Sequence, residues 1–374
     1  MGTPPGREPT MRTERDAQRL PAELSHSAEL EALASDDRHP RPPGWHLSAQ
    51  AVRHFILGGP ATPDRPACRR KIFGNDLAVE RAIVTLAGQR GLLLVGEPGT
   101  AKSLLSELLA AAISGSSTHT VQGSAGTAEE QIRYGWNYAL LLKEGPSERA
   151  LVPGPLHRCM SLGCLLRFEE ITRCPVEIQD SLIPVLSDRV LHVPELGDDA
   201  MLLSRPGFNI VATANLRDRG VNEMSAALKR RFNFETLLPI RDPAAEAELV
   251  GREVDRLLAE DGIGARLPPD VSQLLVQVFQ ELRAGEALGV RLEPLSSVLS
   301  TAEAVNVAYS AAAEAWYFGD GSAQPEHLLR HMSGTALKDD ADDRKRLTDY
   351  LRLLRGKRGN DPGWKRLLDG ERWL

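Results

Sequence analysis

Eight consecutive residues, Gly96-Glu97-Pro98-Gly99-Thr100-Ala101-Lys102-Ser103, carry the most explicit chemistry in this chain. A short apolar run, Leu92 to Val95, precedes them, and Leu104, Leu105, Leu108, Leu109, Ala112 and Ile113 follow at helical spacing. Strand, glycine-bearing loop, then Lys-Ser at a helix start is an arrangement that cradles phosphate. Backbone N–H groups of such a loop and of the helix N-terminus face anionic oxygens. The Lys102 ammonium can reach the outer phosphates, and the Ser103 hydroxyl can take a place on Mg²⁺. Residues Gly96 through Leu104 are therefore the candidate nucleotide-binding set. Ala101 stands where a second glycine is common. A small side chain is acceptable there if the residue adopts right-handed helical dihedrals, because only positive φ demands glycine.

A phosphate cradle that hydrolyses its nucleotide needs acidic partners at the end of another strand. One carboxylate holds the Mg²⁺ shell and the next polarises the attacking water. Leu165-Leu166-Arg167-Phe168-Glu169-Glu170 meets that need, with Glu169 on the metal side and Glu170 as the water-activating base. Glu169 is one methylene longer than the usual aspartate, and Arg167 interrupts a strand that should be buried. A further apolar run, Asn209 to Ala214, ends at Asn215, whose amide can hold the attacking water. In Ala226-Ala227-Leu228-Lys229-Arg230-Arg231-Phe232, Arg231 is the candidate to neutralise charge on the γ-phosphate of a neighbouring subunit. A planar, permanently charged guanidinium suits that task better than lysine. Arg230 takes its place if the register is off by one.

These residues need a scaffold that brings strand ends together. From Lys71 to about Ile240, short continuous apolar runs alternate with helical patterns, which is how a parallel sheet covered on both faces reads. Residues 67–240 are thus the expected α/β core. From Arg241 the strand signals nearly vanish, so 241–335 is expected to be a separate helical domain. Residues 336–374 form a charged helical tail in which Leu351, Leu353, Leu354, Trp364 and Trp373 either dock a partner or close that domain. Residues 1–66 are rich in Pro, Arg and acidic residues and are expected to be mostly disordered. Two short helices are expected there: Leu24 to Leu33, and one capped by Ser48 with Ala51, Val52, Phe55 and Ile56 on one side.

Bulk properties narrow the class. A length of 374 residues accommodates two packed domains, and 42% hydrophobic with 26% charged content fits a globular chain. No apolar run reaches the length of a membrane span. The polar N-terminus is not a secretory signal. Cys68, Cys159, Cys164 and Cys174 follow no metal-ligand or disulfide-framework spacing, so a cytoplasmic location is expected. A net charge of −6 argues against broad nucleic-acid binding. His327 and His331 share a helix face but lack a third ligand, which leaves a solvated face as the better reading.

Taken in order, the segments GEPGTAKS (96–103), FEEITRCP (168–175), IVATANLRDRG (210–220) and ALKRRFNFE (227–235) resemble an AAA+ ATPase of the MoxR and dynein-related branch. The resemblance runs from about Lys71 to His331. Alanine before Lys-Ser is common in MoxR-type proteins. Glu169 falls on the family's acidic metal-side position, Arg173 on its following arginine, Asn215 on sensor 1 and Arg231 on the arginine finger. The Arg230-Arg231-Phe232 form is also similar to McrB-like relatives. The resemblance implies an AAA+ αβα core with a parallel sheet followed by a small α-helical lid, ATP and Mg²⁺ between them, and a homo-oligomeric ring, a hexamer. It further implies remodelling of a protein client beside a von Willebrand factor A-domain partner. Sensor 2, an arginine at the start of a lid helix, falls near Glu293 in this register, with Arg291, two residues earlier, as the candidate. Ser187 to Pro206 resembles a hairpin insertion that lines a ring pore or touches a client, with a simple loop as the alternative. Two other functions stay open. One is a nucleic-acid-directed motor, suggested by Arg217, Arg219 and Lys229. The other is a nucleotide-gated scaffold with weak hydrolysis, suggested by Glu169.

Overall fold

The computed structural model describes residue 17 and residues 19–62, 65–215, 222–296, 299–338 and 340–373. Arg217 and Arg219 lie outside the described residues. The chain divides into two compact units. The first holds residues up to Ile72, Asp76–Val95 and Ser103–Glu235; the second holds Phe73–Asn75, Gly96–Lys102 and Thr236 onward.

The first unit opens with α1 (Ala22–Ser25), α2 (Ser27–Asp36) and α3 (Ala49–Leu57). This leader was expected to be mostly disordered, and from Leu20 onward the described residues are instead packed. Leu30, Leu33, Trp45, Leu47, Val52, Phe55 and Ile56 are all buried. The polar average of the segment conceals one apolar face at helical spacing, and burial of that face outweighs composition. Ser48 caps α3 as its spacing suggests, its Oγ accepting from the Ala51 N–H at 3.2 Å. Lys71 Nζ donates to Glu29 at 2.5 Å and to the Phe55 carbonyl at 2.8 Å, joining α2 and α3 to the start of the core.

The core then runs α4 (Asp76–Ala87), β1 (Gly91–Val95), α5 (Lys102–Ser114), β2 (Thr120–Gln122), α6 (Glu129–Ile132), β3 (Tyr134–Trp136), α7 (Tyr138–Glu144), β4 (Leu151–Pro153), α8 (Pro155–Leu162), β5 (Leu165–Glu169), α9 (Val176–Asp180), α10 (Ile183–Asp188), β6 (Val190–His192), β7 (Met201–Leu203), β8 (Asn209–Ala214), α11 (Ala226–Lys229) and β9 (Phe232–Thr236). Five strands make one sheet in the order β2-β5-β8-β1-β9. The pairings β2–β5, β5–β8 and β8–β1 are all parallel. Every residue of β1 and β8 is buried, which explains their largely apolar sequence, Asn209 and Thr213 excepted. Two further antiparallel strand pairs lie outside this sheet. β6–β7 is the hairpin suggested for Ser187 to Pro206. β3–β4 has three-residue strands, too short to show a period in sequence.

The second unit is helical: α12 (Pro243–Glu260), α13 (Pro269–Ala284), α14 (Thr301–Phe318), α15 (Pro325–Met332), α16 (Ala341–Arg358) and α17 (Pro362–Asp369). A small hairpin, β10 (Glu286–Ala287) with β11 (Val290–Arg291), sits between α13 and α14. One apolar core runs through this unit from Ala247 to Leu368. The tail expected to begin at residue 336 is part of it, because Leu347, Tyr350, Leu351, Leu354, Trp364 and Leu367 belong to the same core. Its charge block has a capping role as well. The Asp340 carboxylate accepts from the N–H groups of Asp342 and Asp343 at 2.9 Å, and Arg355, Lys357 and Arg358 occupy the last turn of α16.

Candidate nucleotide site

The register places three strand ends at one level. Val95 of β1 pairs with Ala214 of β8, and Phe168 of β5 pairs with Ala212. The carboxyl edge of the sheet therefore carries the loop that leaves β1, the acidic pair that ends β5, and Asn215, which follows β8 and is buried. Open parallel sheets bind ligands at that edge.

The loop from Gly96 to Lys102 is shaped by backbone that disfavours side chains. Gly99 has φ 74°, and a Cβ there would fall 2.1 Å from Ser300 Cβ. At Gly96 a Cβ would come within 2.6 Å of the Leu237 carbonyl oxygen. Thr100 Oγ1 donates to the Glu97 carbonyl at 2.8 Å, closing the turn, while Pro98 stays exposed. Ala101 does not take the right-handed dihedrals expected for it: φ is 63°, in the left-handed region. An L-residue there carries about 1 kcal/mol of strain, which alanine keeps near its minimum. The Lys102 Nζ donates to the carbonyls of Gly96 at 2.8 Å and Glu97 at 2.7 Å. Ser103 and Leu104 follow in the first turn of α5, both exposed.

Glu169 is the best-tied side chain of the site. Its Oε2 accepts from Ser103 Oγ at 2.7 Å and Thr213 Oγ1 at 2.8 Å. Its Oε1 accepts from Ser106 Oγ at 2.5 Å and Arg167 Nη2 at 2.9 Å. Burial pushes this carboxyl up, but the hydrogen bonds from Ser106 and Ser103, the Arg167 charge and the Thr213 bond together hold it below the usual range. Glu169 is therefore ionised at neutral pH. Because Ser103 spends its proton on Glu169, its lone pairs remain available to a cation. That donor set of hydroxyl and carboxylate oxygens fits Mg²⁺.

Glu170 occupies a left-handed conformation, φ 55° and ψ 45°, where β5 gives way to a short 3₁₀ turn. Its N–H donates to Thr213 Oγ1 at 3.0 Å, and its half-exposed carboxylate pairs with Arg173. Strained residues of this kind cluster at functional sites. Arg231 precedes β9, and its carbonyl accepts from the Gly91 N–H at the first residue of β1. It thus lies a full strand, roughly 13 Å, from the end of β1 where the phosphate loop begins. Its Nη1 donates to the Ala227 carbonyl at 2.7 Å and its Nε to Ser187 Oγ. Arg230 is exposed.

Other sequence-level candidates lie elsewhere. Arg291 is not at a helix start; it is an exposed residue of the β10–β11 hairpin, and α14 begins only at Thr301. His331 Nε2 bonds Glu314 at 2.8 Å, and His327 Nδ1 accepts from the Gln324 N–H. Among the described residues no cluster of three or more His, Cys, Asp or Glu could hold a metal, and the four cysteines are buried free thiols. Sequence reasoning missed Ser106 and Thr213. The signals existed: Ser106 is one helical turn after Ser103, and Thr213 shares a strand face with Asn215.

The family model for the AAA domain of the dynein-related subfamily matches residues 91–232, and that for the YehL-like AAA+ ATPase C-terminal domain matches residues 244–372. The YehL protein of Escherichia coli K12 is 54% identical over 335 residues, covering 89% of this chain and 91% of that protein. The chain belongs to the YehL-like AAA+ ATPases. The YehL-like chain is also 29% identical over 185 residues to the chaperone MoxR1 of Mycobacterium tuberculosis, covering 49% of this chain and 45% of that protein. Among solved structures, NtrX from Brucella abortus aligns with a TM-score of 0.48 and 13% identity, over 83% of this chain and 65% of that one. The first model spans the core from β1 to the start of β9, and the second spans nearly all of the C-terminal helices, tail included. As a member of this family in the MoxR branch, the YehL-like chain is an ATP hydrolase. Among its described residues no helix is long and apolar enough to cross a membrane.

Proposed function

We propose that this ATPase works as a subunit of a homo-oligomeric ring, a hexamer, that couples ATP hydrolysis to remodelling of a protein client in the cytoplasm. The observation that carries the reading is the split between the two ends of β1. The phosphate loop, Glu169, Glu170 and Asn215 follow the carboxyl ends of their strands, whereas Arg231 stands beside Gly91 at the opposite end. An arginine so placed is out of reach of its own phosphate loop and available to a neighbour's.

In this reading Gly96 to Leu104 bind the phosphates, with Lys102 turning from the Gly96 and Glu97 carbonyls toward the β and γ oxygens. Ser103 and Glu169 hold Mg²⁺, which when bound neutralises phosphate charge. Glu170 takes the proton of the attacking water after leaving Arg173, and Asn215 orients that water. Arg231, with Arg230 as the adjacent candidate, offsets charge on the γ-phosphate across the subunit boundary. The partial similarity to MoxR1, named a chaperone, supports a protein client, and a von Willebrand factor A-domain protein is the partner class proposed. The Arg173–Glu170 pair favours one second reading, a nucleotide-gated scaffold that rests with its base engaged and turns over slowly.

The test is complementation in mixed rings. Arg231→Ala should bind ATP normally and lose most turnover. Lys102→Ala subunits lack nucleotide but keep the finger, so mixing the two should restore part of the activity. Absence of recovery at every ratio, with mixed assembly verified by mass, would refute action in trans. The same mixture with Arg230→Ala identifies which arginine is responsible.

A further inference from the structure

Arg167 lies two residues before Glu169 on β5, hence on the same strand face, with β5 flanked by β2 and β8. Its side chain is 11% exposed and that of Glu169 is 6% exposed. A charge inside a sheet is tolerated only when paired and fully hydrogen-bonded. Arg167 meets that condition: Nε donates to Ser106 Oγ at 3.1 Å, Nη1 to the Ser117 carbonyl at 3.0 Å, and Nη2 to the Ser103 carbonyl at 3.3 Å and Glu169 Oε1 at 2.9 Å. The Glu169 carboxylate is thereby divided. One oxygen serves Arg167 and Ser106; the other faces Ser103 and Thr213, where a cation would sit.

We propose that Arg167 is a positioning residue that weakens the divalent-metal affinity of the Ser103–Glu169 site. Metal is then held firmly only when nucleotide phosphates supply additional oxygens. The inference rests on the nucleotide-site reading above. A guanidinium bonded to Oε1 offsets part of the carboxylate charge and repels a dication arriving at Oε2. Both effects act in a buried setting where salt screens little. The extra methylene of Glu169 lets one carboxylate reach across to Ser103 and Ser106 on α5 while still meeting Arg167 on its own strand. An arginine in the strand and a glutamate in place of aspartate are thus one feature.

The experiment measures Mn²⁺ binding to the full chain by electron paramagnetic resonance, with a non-hydrolysable ATP analogue at fixed saturating concentration. Arg167→Gln and Arg167→Met should bind Mn²⁺ at least about tenfold more tightly than wild type, the scale of a unit charge and a dication about 6 Å apart even at the dielectric of water. Arg167→Lys retains the charge and should stay within about twofold. Unchanged or weaker Mn²⁺ binding in both neutral variants would overturn the proposal. So would failure of both to fold with Mn²⁺ and nucleotide present, because a dication held more tightly there would offset the Glu169 charge that Arg167 no longer meets. If wild type binds no Mn²⁺ with the analogue, the site reading itself fails and the proposal goes with it.

Discussion

Replacing Glu169 with aspartate should damage this site, although aspartate is the usual residue at the corresponding place in similar motifs. The change withdraws the carboxylate toward β5 by one carbon–carbon bond, about 1.5 Å. Ser103 and Ser106 stand across from it on α5, at 2.7 and 2.5 Å. Withdrawal takes both to about 4 Å, beyond hydrogen-bonding range. Each bond to a charged acceptor contributes about 1.5–3 kcal/mol. Ser103 is exposed and can turn to water, while Ser106 keeps its bond to the Ser103 carbonyl at 2.9 Å and still accepts from Arg167 Nε at 3.1 Å. The net loss is about 2–4 kcal/mol of local stability between α5 and β5. A single unfolding free energy is poorly defined for a chain of two units, so the readout should be local. Hydrogen exchange followed by mass spectrometry of peptides covering α5 and β5 should show protection reduced by roughly 30- to 1,000-fold. Protection within threefold of wild type would refute the claim that Glu169 spans these two elements.

Ala101 supplies a second prediction. At φ 63° glycine relieves about 1 kcal/mol of strain and gives back a similar amount through the unfolded chain, so Ala101→Gly should leave stability and ATP affinity nearly unchanged. Ala101→Val places a β-branched residue in the same conformation and should weaken ATP binding at least about tenfold by calorimetry; equal affinity would show that the loop is not held left-handed. The third concerns acid. Glu169 has its folded value depressed below 4.5, so its stabilisation is complete above that unfolded value and disappears as pH falls through the folded one. Exchange protection of α5 should therefore drop below about pH 4.5 in wild type and show a flatter profile in Glu169→Gln. Superimposable profiles would count against the ionised carboxylate as the link.

Much of this arrangement was legible in sequence because it rests on short-range rules. β1 and β8 are largely apolar runs whose residues are all buried, and the Lys-Ser helix start and the acidic strand end are each local patterns. The cap of α3 by Ser48 is likewise a three-residue relation. What stayed hidden depends on tertiary partners. The leader's polar average masked Trp45 and Leu47, which are buried within it. Arg167 read as a defect in a buried strand because its partners, Ser106 and Ser117, are some 50 residues away or more. The tail read as a charged helix that either docks a partner or closes the helical domain, because charged caps and apolar positions interleave along α16. That Arg291 lies in a hairpin stayed hidden for a related reason: two-residue strands have no periodicity that distinguishes them from a helix entry.

The proposed ATPase chemistry assigns phosphate binding to Lys102 and water activation to Glu170. Single-turnover ATP hydrolysis by wild type, Lys102→Ala and Glu170→Gln, with ATP affinity measured on the same preparations, tests it most directly. The account predicts that Lys102→Ala stays folded but loses ATP binding. Glu170→Gln should keep ATP affinity while hydrolysis falls roughly 100-fold or more, the scale of losing a general base. Retained ATP affinity in Lys102→Ala, or hydrolysis by Glu170→Gln at the wild-type rate, would contradict it.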